Sequence, residues 1–243
     1  MNEFSQKRLW GPFPTYPNVL KYIPPIRDFI IVAGPCSVEN KDQINLIADF
    51  VSAGGANYLR GGVFRAGTYP GEPYGWVGSD LITCFHEAAR KNNINNVAEI
   101  LDGVGHVYSE FFDCLQVGAR QMQNYSLLIS LGLTKKTIFL KRHPGSTLDE
   151  WLGSAEYIIK YGGHPILVER GSASHVNHVR WDLSISMIPA VKSICRIPII
   201  VDASHGTGRR DLVEPMTMAG IAAGADGFLV EVHPEPKKSL SDP

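Results

Sequence analysis

The sequence has few of the features that direct a protein to a membrane or to nucleic acid. No apolar run reaches the roughly 18–20 residues that a membrane-spanning helix needs, and residues 1–17 contain no apolar core of the signal-peptide kind. The formal net charge is only −1 at pH 7, whereas binding to nucleic acid or to an anionic membrane requires a basic surface. We therefore expect neither a membrane nor a nucleic acid among the partners.

Cysteine is also scarce. The four cysteines are far apart in the sequence, with no CxxC spacing: Cys36, Cys84, Cys114 and Cys195. In a domain of this size, scattered cysteines indicate reduced thiols rather than a disulfide framework. The cysteine pattern therefore favours a cytoplasmic location.

What the sequence does contain is an alternation of short apolar runs and helical patterns from Asp28 onward. The apolar runs are rich in β-branched residues, as in strands buried on both faces, and they cover residues 29–33, 57–60, 96–100, 114–117, 137–141, 165–169, 198–202 and 227–231. Apolar residues at helical spacing predict helices at 41–53 and 79–91. Eight strands with intervening helices predict a single (β/α)8 (TIM) barrel, and 243 residues is close to the typical length of one.

The two ends of this pattern define the expected domain organisation. Residues 1–27, rich in proline and aromatic residues, are expected to form a short ordered N-terminal extension across the bottom of the barrel. Residues 28–243 are expected to form the barrel itself. Within it, Ser146 or Thr147 is the expected N-cap of the helix that carries Asp149 and Glu150 in its first turn.

Polar residues follow each of the eight predicted strands. In a barrel, residues at the carboxyl ends of the strands converge on one pocket. In strand order, these residues are Cys36, Arg60, Glu99, Arg120, Lys141, Arg170, His205 and Glu231.

Four of these residues are cations, namely Arg60, Arg120, Lys141 and Arg170. Like charges directed into one cavity repel each other unless a multiply charged anion lies among them, and guanidinium groups match phosphate and carboxylate geometry. A small substrate with both a phosphate and a carboxylate would suit this pocket. Each cation can instead pair with a neighbouring acid, as Arg170 can with Glu169.

A second group combines a thiol, an imidazole and carboxylates. Its members are Cys36, His205, Glu231 and Asp242, which follows Glu231 by eleven residues. Such a mixture of soft and hard donors suits a first-row transition metal better than Mg²⁺, which prefers oxygen ligands alone. The four fall in the loops after the first, seventh and eighth strands, which adjoin when a barrel closes. Alternatively, Cys36 is a buried core thiol, and the histidine and carboxylates are satisfied polar residues.

Several motifs resemble those of a known family. AGPCS, LRGG-F, GARQMQN, LKR, ERG, VDASH-TGRRD and EVHPEP-SLSD are similar, in order and spacing, to the 3-deoxy-D-arabino-heptulosonate 7-phosphate (DAHP) synthases. The similarity is to the short microbial class, which is related to 3-deoxy-manno-octulosonate 8-phosphate synthase, and it covers nearly the whole chain from Asp28. The resemblance implies condensation of phosphoenolpyruvate with erythrose 4-phosphate to DAHP and phosphate, the first step of the shikimate pathway.

The resemblance also implies roles for individual residues. It implies a divalent metal (Mn, Fe, Co or Zn) held by Cys36, His205, Glu231 and Asp242. It implies a phosphoenolpyruvate site made by Arg60, Arg65, Glu99, Arg120, Lys141 and Arg170. Lys141 and His205 are then the expected catalytic residues, and Thr68 and Asp202 are expected to contact the aldehyde. Metal-independent octulosonate relatives carry Asn at the Cys36 position, so the resemblance is to the metal-dependent form. Because barrels of this family commonly assemble into dimers or tetramers, the resemblance also implies a homodimer or a homotetramer.

The sequence departs from the family pattern in two places that bear on the site. Where the family has Lys-Pro-Arg-Thr, this chain has Arg65-Ala66-Gly67-Thr68, so that Gly67 replaces the arginine expected to bind the phosphate of the aldehyde. We therefore expect weaker binding of erythrose 4-phosphate or, alternatively, a paralogous synthase that acts on a different aldehyde. The family also continues into a final helix beyond the position of Pro243. Either the sequence is a trimmed form of a longer chain or the eighth helix is missing, and in the second case the Asp242 ligand is expected to be loosely held.

Two hypotheses from other functional classes remain open at this point. A lysine at a strand end, such as Lys141, can form a Schiff base in an aldolase, although its arginine neighbours favour anion binding. Alternatively, the chain is a non-catalytic barrel that binds a phosphorylated ligand and signals to a partner. Phosphate release from phosphoenolpyruvate would distinguish the synthase from the binding protein.

Overall fold

The computed structural model describes residues 17–25, 28–66, 74–101 and 109–241. Eight parallel strands close into a barrel in the order β1-β10-β9-β8-β7-β6-β5-β2, and β3 and β4 form a separate antiparallel hairpin. In chain order, the strands are β1 (Ile30–Gly34), β2 (Tyr58–Arg60), β3 (Phe64–Ala66), β4 (Tyr74–Trp76), β5 (Asn95–Glu99), β6 (Cys114–Val117), β7 (Thr137–Lys141), β8 (His164–Glu169), β9 (Ile199–Asp202) and β10 (Gly227–Glu231).

Helices alternate with the barrel strands. In chain order, they are α1 (Pro17–Lys21), α2 (Lys41–Ala53), α3 (Ser79–Lys91), α4 (Tyr125–Leu133), α5 (Leu148–Lys160), α6 (Met187–Ile194), α7 (Ala203–Thr207) and α8 (Arg210–Ala222). The predicted (β/α)8 barrel is therefore confirmed, with every predicted barrel strand present to within a residue at each end and the two predicted helices at 41–53 and 79–91. The hairpin of β3 and β4, inside the long loop after β2, was not predicted. Within the described ranges, no helix combines the length and the apolar character needed to span a bilayer.

Alternate side chains of the strands fill the barrel. Successive side chains on a strand point to opposite faces, so Val97, Phe139 and Val168 belong to an interior apolar cluster, whereas Leu140 packs on the outer side with the helices. Tyr58 and Phe139 meet edge to face in this interior, with their ring centroids 5.4 Å apart. Because apolar side chains fill the interior, a polar site in this barrel must lie above them, at the ends of the strands.

The two ends of the chain are described only in part. Helix α1 lies against α5, where Asn18 N donates to Glu156 Oε1 at 3.3 Å, and Tyr22 lies near His164 at the start of β8. The division into an extension at 1–27 and a barrel at 28–243 stays a prediction. Among the described residues, no α-helix follows β10, and the outer face of β10 and α8 line a groove of about 440 Å³ that includes Met218 and Phe228.

The N-terminus of α5 provides a test of the local structure. Thr147 is the N-cap, as expected, and forms a capping box in which Glu150 N donates to Thr147 Oγ1 and Thr147 N donates to Glu150 Oε2. We predict that Thr147→Ala lowers the free energy of unfolding by about 1 kcal/mol, because it leaves helix N–H groups without an acceptor. Thr83→Ala, at an exposed position within α3, is the control and should not destabilise the protein. Urea denaturation midpoints measure both variants, and a wild-type midpoint for Thr147→Ala would contradict the cap.

Candidate metal and anion site

A layer of charged side chains lies directly above the apolar interior. Residues two positions apart on a strand point the same way, and each member of this layer follows an interior apolar residue by two positions. The members of this layer are Arg60, Glu99, Lys141, Arg170, Asp202 and Glu231. Alternation along the strands therefore directs six of the predicted site residues toward one cavity.

Three side chains with metal-binding atoms converge at one edge of this layer. Cys36, His205 and Glu231 each offer one ligand atom, and these atoms lie within 4.8 Å of one another. They belong to the β1–α2 loop, to α7 and to the end of β10, and β10 pairs with both β1 and β9. The fourth predicted ligand, Asp242, lies outside the described residues.

Backbone contacts fix two members of this cluster. The Glu231 N–H donates to Ser204 Oγ at 3.1 Å, which ties the end of β10 to α7. The carbonyl of Cys36 accepts from Gly62 N at 3.1 Å. A Cβ at Gly62 would lie only 2.2 Å from that carbonyl oxygen, so only glycine permits this approach. Gly62, the second glycine of the LRGG motif, thus allows the loop after β2 to contact the loop that carries Cys36.

Asp202 sets the orientation of the imidazole. It is the N-cap of α7, and its two carboxylate oxygens lie 3.0 Å from His205 N and 2.8 Å from His205 Nδ1. With Nδ1–H donating to this carboxylate, the lone pair of Nε2 faces Glu231 Oε1 at 3.2 Å. These two atoms lie close enough for one cation to contact both, and the Cys36 Sγ lies within 4.8 Å of them. The donor atoms therefore fit a metal ion.

Two ion pairs balance the charges of the layer. Arg60 Nη1 lies 2.6 Å from Glu231 Oε1, and Lys141 Nζ lies 3.1 Å from Asp202 Oδ2. Burial alone would raise the pKa of both carboxyl groups, but the interactions with His205 and the two cations outweigh it, so the pKa of Glu231 falls to about 2 and that of Asp202 lies well below its usual range. Both groups are therefore carboxylates at neutral pH.

A third ion pair, which is fully buried, lies on the outward side of the same strand ends. Arg142 contacts Glu169 with two nitrogens, at 2.6 and 3.1 Å. The Glu169 carboxylate also accepts from Gly171 N at 2.8 Å. Lys141 and Arg170 are the adjacent residues and point inward, so this pair fixes the backbone that carries them. The possible pairing of Arg170 with Glu169 is therefore replaced by Arg142 with Glu169.

The remaining predicted anion ligands differ in their burial and contacts. Arg170 is buried, its Nη2 lies 3.5 Å from the carbonyl oxygen of His205, and its guanidinium lies over the ring of Trp181 at 5.4 Å. Glu99 is held by Gln116 Nε2 at 2.8 Å. Arg120 is exposed in a 3-10 turn after β6. Arg65 belongs to strand β3, and Thr68 lies outside the described residues.

Several partners at this site were not predicted from the sequence. Gln116, Arg142, Glu169 and Trp181 contact predicted site residues or fix the backbone beside them. The carboxylate of Asp202 is fully buried and contacts His205 and Lys141, and its expected contact with the aldehyde stays a prediction. Only Gln116 has a signal in the sequence, because it is a polar residue inside the otherwise apolar run CLQV.

Comparison with known proteins agrees with this arrangement. The phospho-2-dehydro-3-deoxyheptonate aldolase of Thermotoga maritima is 43% identical over 217 residues, which cover 88% of this chain and 64% of that protein. Its crystal structure, described as a DAHP synthase, has a TM-score of 0.83 at 41% identity, over 88% of this chain and 62% of that one. A truncated form of the Thermotoga maritima synthase has a TM-score of 0.80 at 42% identity, over 88% and 78%.

A more distant relative is a 2-dehydro-3-deoxyphosphooctonate aldolase of Citrifermentans bemidjiense, 28% identical over 89% of this chain and 85% of its own. The chain spans less than two thirds of the full-length Thermotoga maritima protein. The family model described as the DAHP synthetase I family matches residues 27–243. This chain therefore belongs to the DAHP synthetase I family.

Proposed function

We propose that the protein condenses phosphoenolpyruvate, erythrose 4-phosphate and water to give DAHP and phosphate. The observation that carries the proposal is the meeting of two groups in one barrel mouth. The first group is the possible metal ligands Cys36, His205 and Glu231, whose ligand atoms lie within 4.8 Å of one another. The second group is the cations beside them, of which Arg60 pairs with Glu231 and Lys141 pairs with Asp202. The names of the similar proteins, a phospho-2-dehydro-3-deoxyheptonate aldolase and DAHP synthases, support the same reaction.

The metal in this proposal is Mn, Fe, Co or Zn, held by Cys36, His205, Glu231 and, from the sequence alone, Asp242. A thiolate, an imidazole and a carboxylate suit such a metal better than Mg²⁺. When bound, the metal supplies Lewis acidity that polarises the aldehyde oxygen. Asp202 keeps the Nε2 lone pair of His205 directed at the site, as carboxylate partners of metal-binding histidines do.

The chain's own cations bind and orient phosphoenolpyruvate. Lys141 and Arg170, with Arg60 and Arg120, are proposed to hold its phosphate and carboxylate, together with Arg65 and Glu99. The methylene carbon of phosphoenolpyruvate then forms a bond to the aldehyde carbon, water adds to the enol carbon, and the bond to the phosphate oxygen breaks. Because both substrates must be aligned before the new bond can form, positioning supplies a large part of the rate.

The other hypotheses receive less support. Lys141 Nζ lies 3.1 Å from Asp202 Oδ2 in an ion pair, and an ion-paired ammonium has no lone pair for Schiff-base formation. The aldehyde loop around Gly67 and Thr68 lies outside the described residues, so no structural observation favours a different aldehyde. Assembly as a homodimer or homotetramer and a cytoplasmic location, in keeping with the free cysteines, are part of the same proposal.

A phosphate-release assay with a panel of aldoses tests the reaction. We predict that phosphoenolpyruvate releases phosphate only when an aldose is present, and fastest with erythrose 4-phosphate. Unphosphorylated erythrose should be a much poorer acceptor, because a buried contact to a phosphate contributes about 2–5 kcal/mol. Equal rates with erythrose and erythrose 4-phosphate, or a five-carbon phosphate as the best acceptor, would contradict the assignment.

The anion pocket is tested by Arg170→Ala. Removal of this guanidinium should lower kcat/KM for phosphoenolpyruvate by about 10²-fold or more, because an anionic oxygen of the substrate loses its buried partner. Arg196→Ala, at an exposed position before β9 and so at the opposite end of the barrel, is the control and should keep wild-type kinetics. Steady-state kinetics at saturating aldehyde measure the effect. If Arg170→Ala changes kcat/KM by only a few-fold, Arg170 is not part of the phosphoenolpyruvate site.

A further inference from the structure

The chain after β10 returns to the β1–α2 loop rather than forming an α-helix within the described residues. Val232 N donates to Gly34 O at 3.0 Å as the segment leaves the barrel. At its other end, Leu240 N donates to Glu39 Oε1 and Ser241 Oγ donates to Ser37 Oγ, both at 2.8 Å. The segment 232–241 is therefore fastened at one end to the last residue of β1 and at the other end to the loop that carries Cys36.

One carboxylate oxygen of Glu39 contacts residues near both ends of this segment. Its Oε1 accepts from Leu240 N and lies 3.4 Å from His233 Nε2. His233 Nδ1 accepts from Glu235 N at 3.0 Å, so in the neutral imidazole the proton is on Nε2, facing Glu39. The Glu39 and His233 side chains are only 12% and 13% exposed. The two side chains are thus largely shielded from water, and Nε2 lies near the carboxylate as an electrostatic contact and not as a hydrogen bond.

Glu39 is itself held at the start of α2. Its backbone N–H donates to Gln43 Oε1 at 3.0 Å, and Asn40, the next residue, is the N-cap of α2. The segment 232–241 has little structure of its own, with one 3-10 turn at Pro236–Lys238. Its order therefore depends on contacts with the rest of the fold, because ordering a chain segment costs conformational entropy.

We infer that Glu39 is a positioning residue for the metal site, which fastens the segment 232–241 so that the loops after β1 and β10 present their ligands together. The inference rests on the proposed metal site. Ser37, which receives Ser241, is the neighbour of Cys36, and Ser241 directly precedes Asp242 in the sequence. The segment begins one residue after Glu231. Contacts from Glu39 and Ser37 thus join the loop that carries Cys36 to the segment that directly follows Glu231 and directly precedes Asp242.

Cobalt binding to the full chain tests this role. Co²⁺ is titrated into the wild type, Glu39→Ala, Glu39→Gln and Glu235→Gln, with a competing chelator to measure Kd and with the thiolate-to-cobalt absorption band to report Cys36. Glu39→Ala should weaken cobalt binding about 10-fold or more, the loss that partners of metal ligands produce. Glu39→Gln retains an oxygen for Leu240 N–H and should lose less. Glu235→Gln, exposed on the same segment, should bind as the wild type does.

A second readout separates positioning from a general loss of stability. Lys237 and Lys238 are exposed trypsin sites in the segment. Cobalt should slow their cleavage in the wild type and protect them far less in Glu39→Ala. If Glu39→Ala does not fold by circular dichroism, Ser241→Ala, which removes one hydroxyl contact, is expected to show a smaller loss in the same direction.

The outcomes distinguish the two proposals. Wild-type cobalt affinity and wild-type protection in folded Glu39→Ala, with the thiolate band present throughout, would overturn the role of Glu39 and leave the metal site intact. No thiolate band in the wild type would overturn the metal site and, with it, the role of Glu39.

Discussion

The pairing of β10 with both β1 and β9 is the constraint on which the candidate site depends. Gly34 lies opposite Glu231 in this register, and Leu229 lies opposite Asp202. The carboxyl ends of three strands from the two ends of the chain therefore lie side by side, with Cys36, His205 and Glu231 immediately beyond them. Without closure of the barrel, residues about 170–200 positions apart in the sequence would not share one cavity.

Alternation along the strands then divides the charges between two environments. Inward residues form the ion pairs of Arg60 with Glu231 and of Lys141 with Asp202, next to the cavity where substrates are proposed to bind. The outward residues Arg142 and Glu169 pair with each other and are sealed from solvent. A buried pair of this kind is weak evidence for stability. Here its position suggests a different benefit, because it fixes the strand ends from which the inward cations project.

Much of this architecture could be predicted from the sequence, because strands buried on both faces have a recognisable composition and each is followed by a polar residue. Partners across the chain could not be predicted. Sequence adjacency suggested a pairing of Arg170 with Glu169, whereas neighbouring strand residues point to opposite faces, so Glu169 faces Arg142. The contact of Glu39 with Leu240 joins residues 201 positions apart, and no local sequence pattern predicts it. The aldehyde loop and Asp242, which lie outside the described residues, remain predictions from the sequence.

The central claim is that a thiolate from the loop after β1, an imidazole from α7 and a carboxylate from the end of β10 hold one metal ion. X-ray absorption at the cobalt edge of the loaded protein tests it most directly. The account predicts one sulfur ligand together with nitrogen and oxygen ligands in the wild type, and loss of the sulfur ligand in Cys36→Ser. A wild-type spectrum with nitrogen and oxygen ligands alone, or a sulfur ligand that persists in Cys36→Ser, would contradict it.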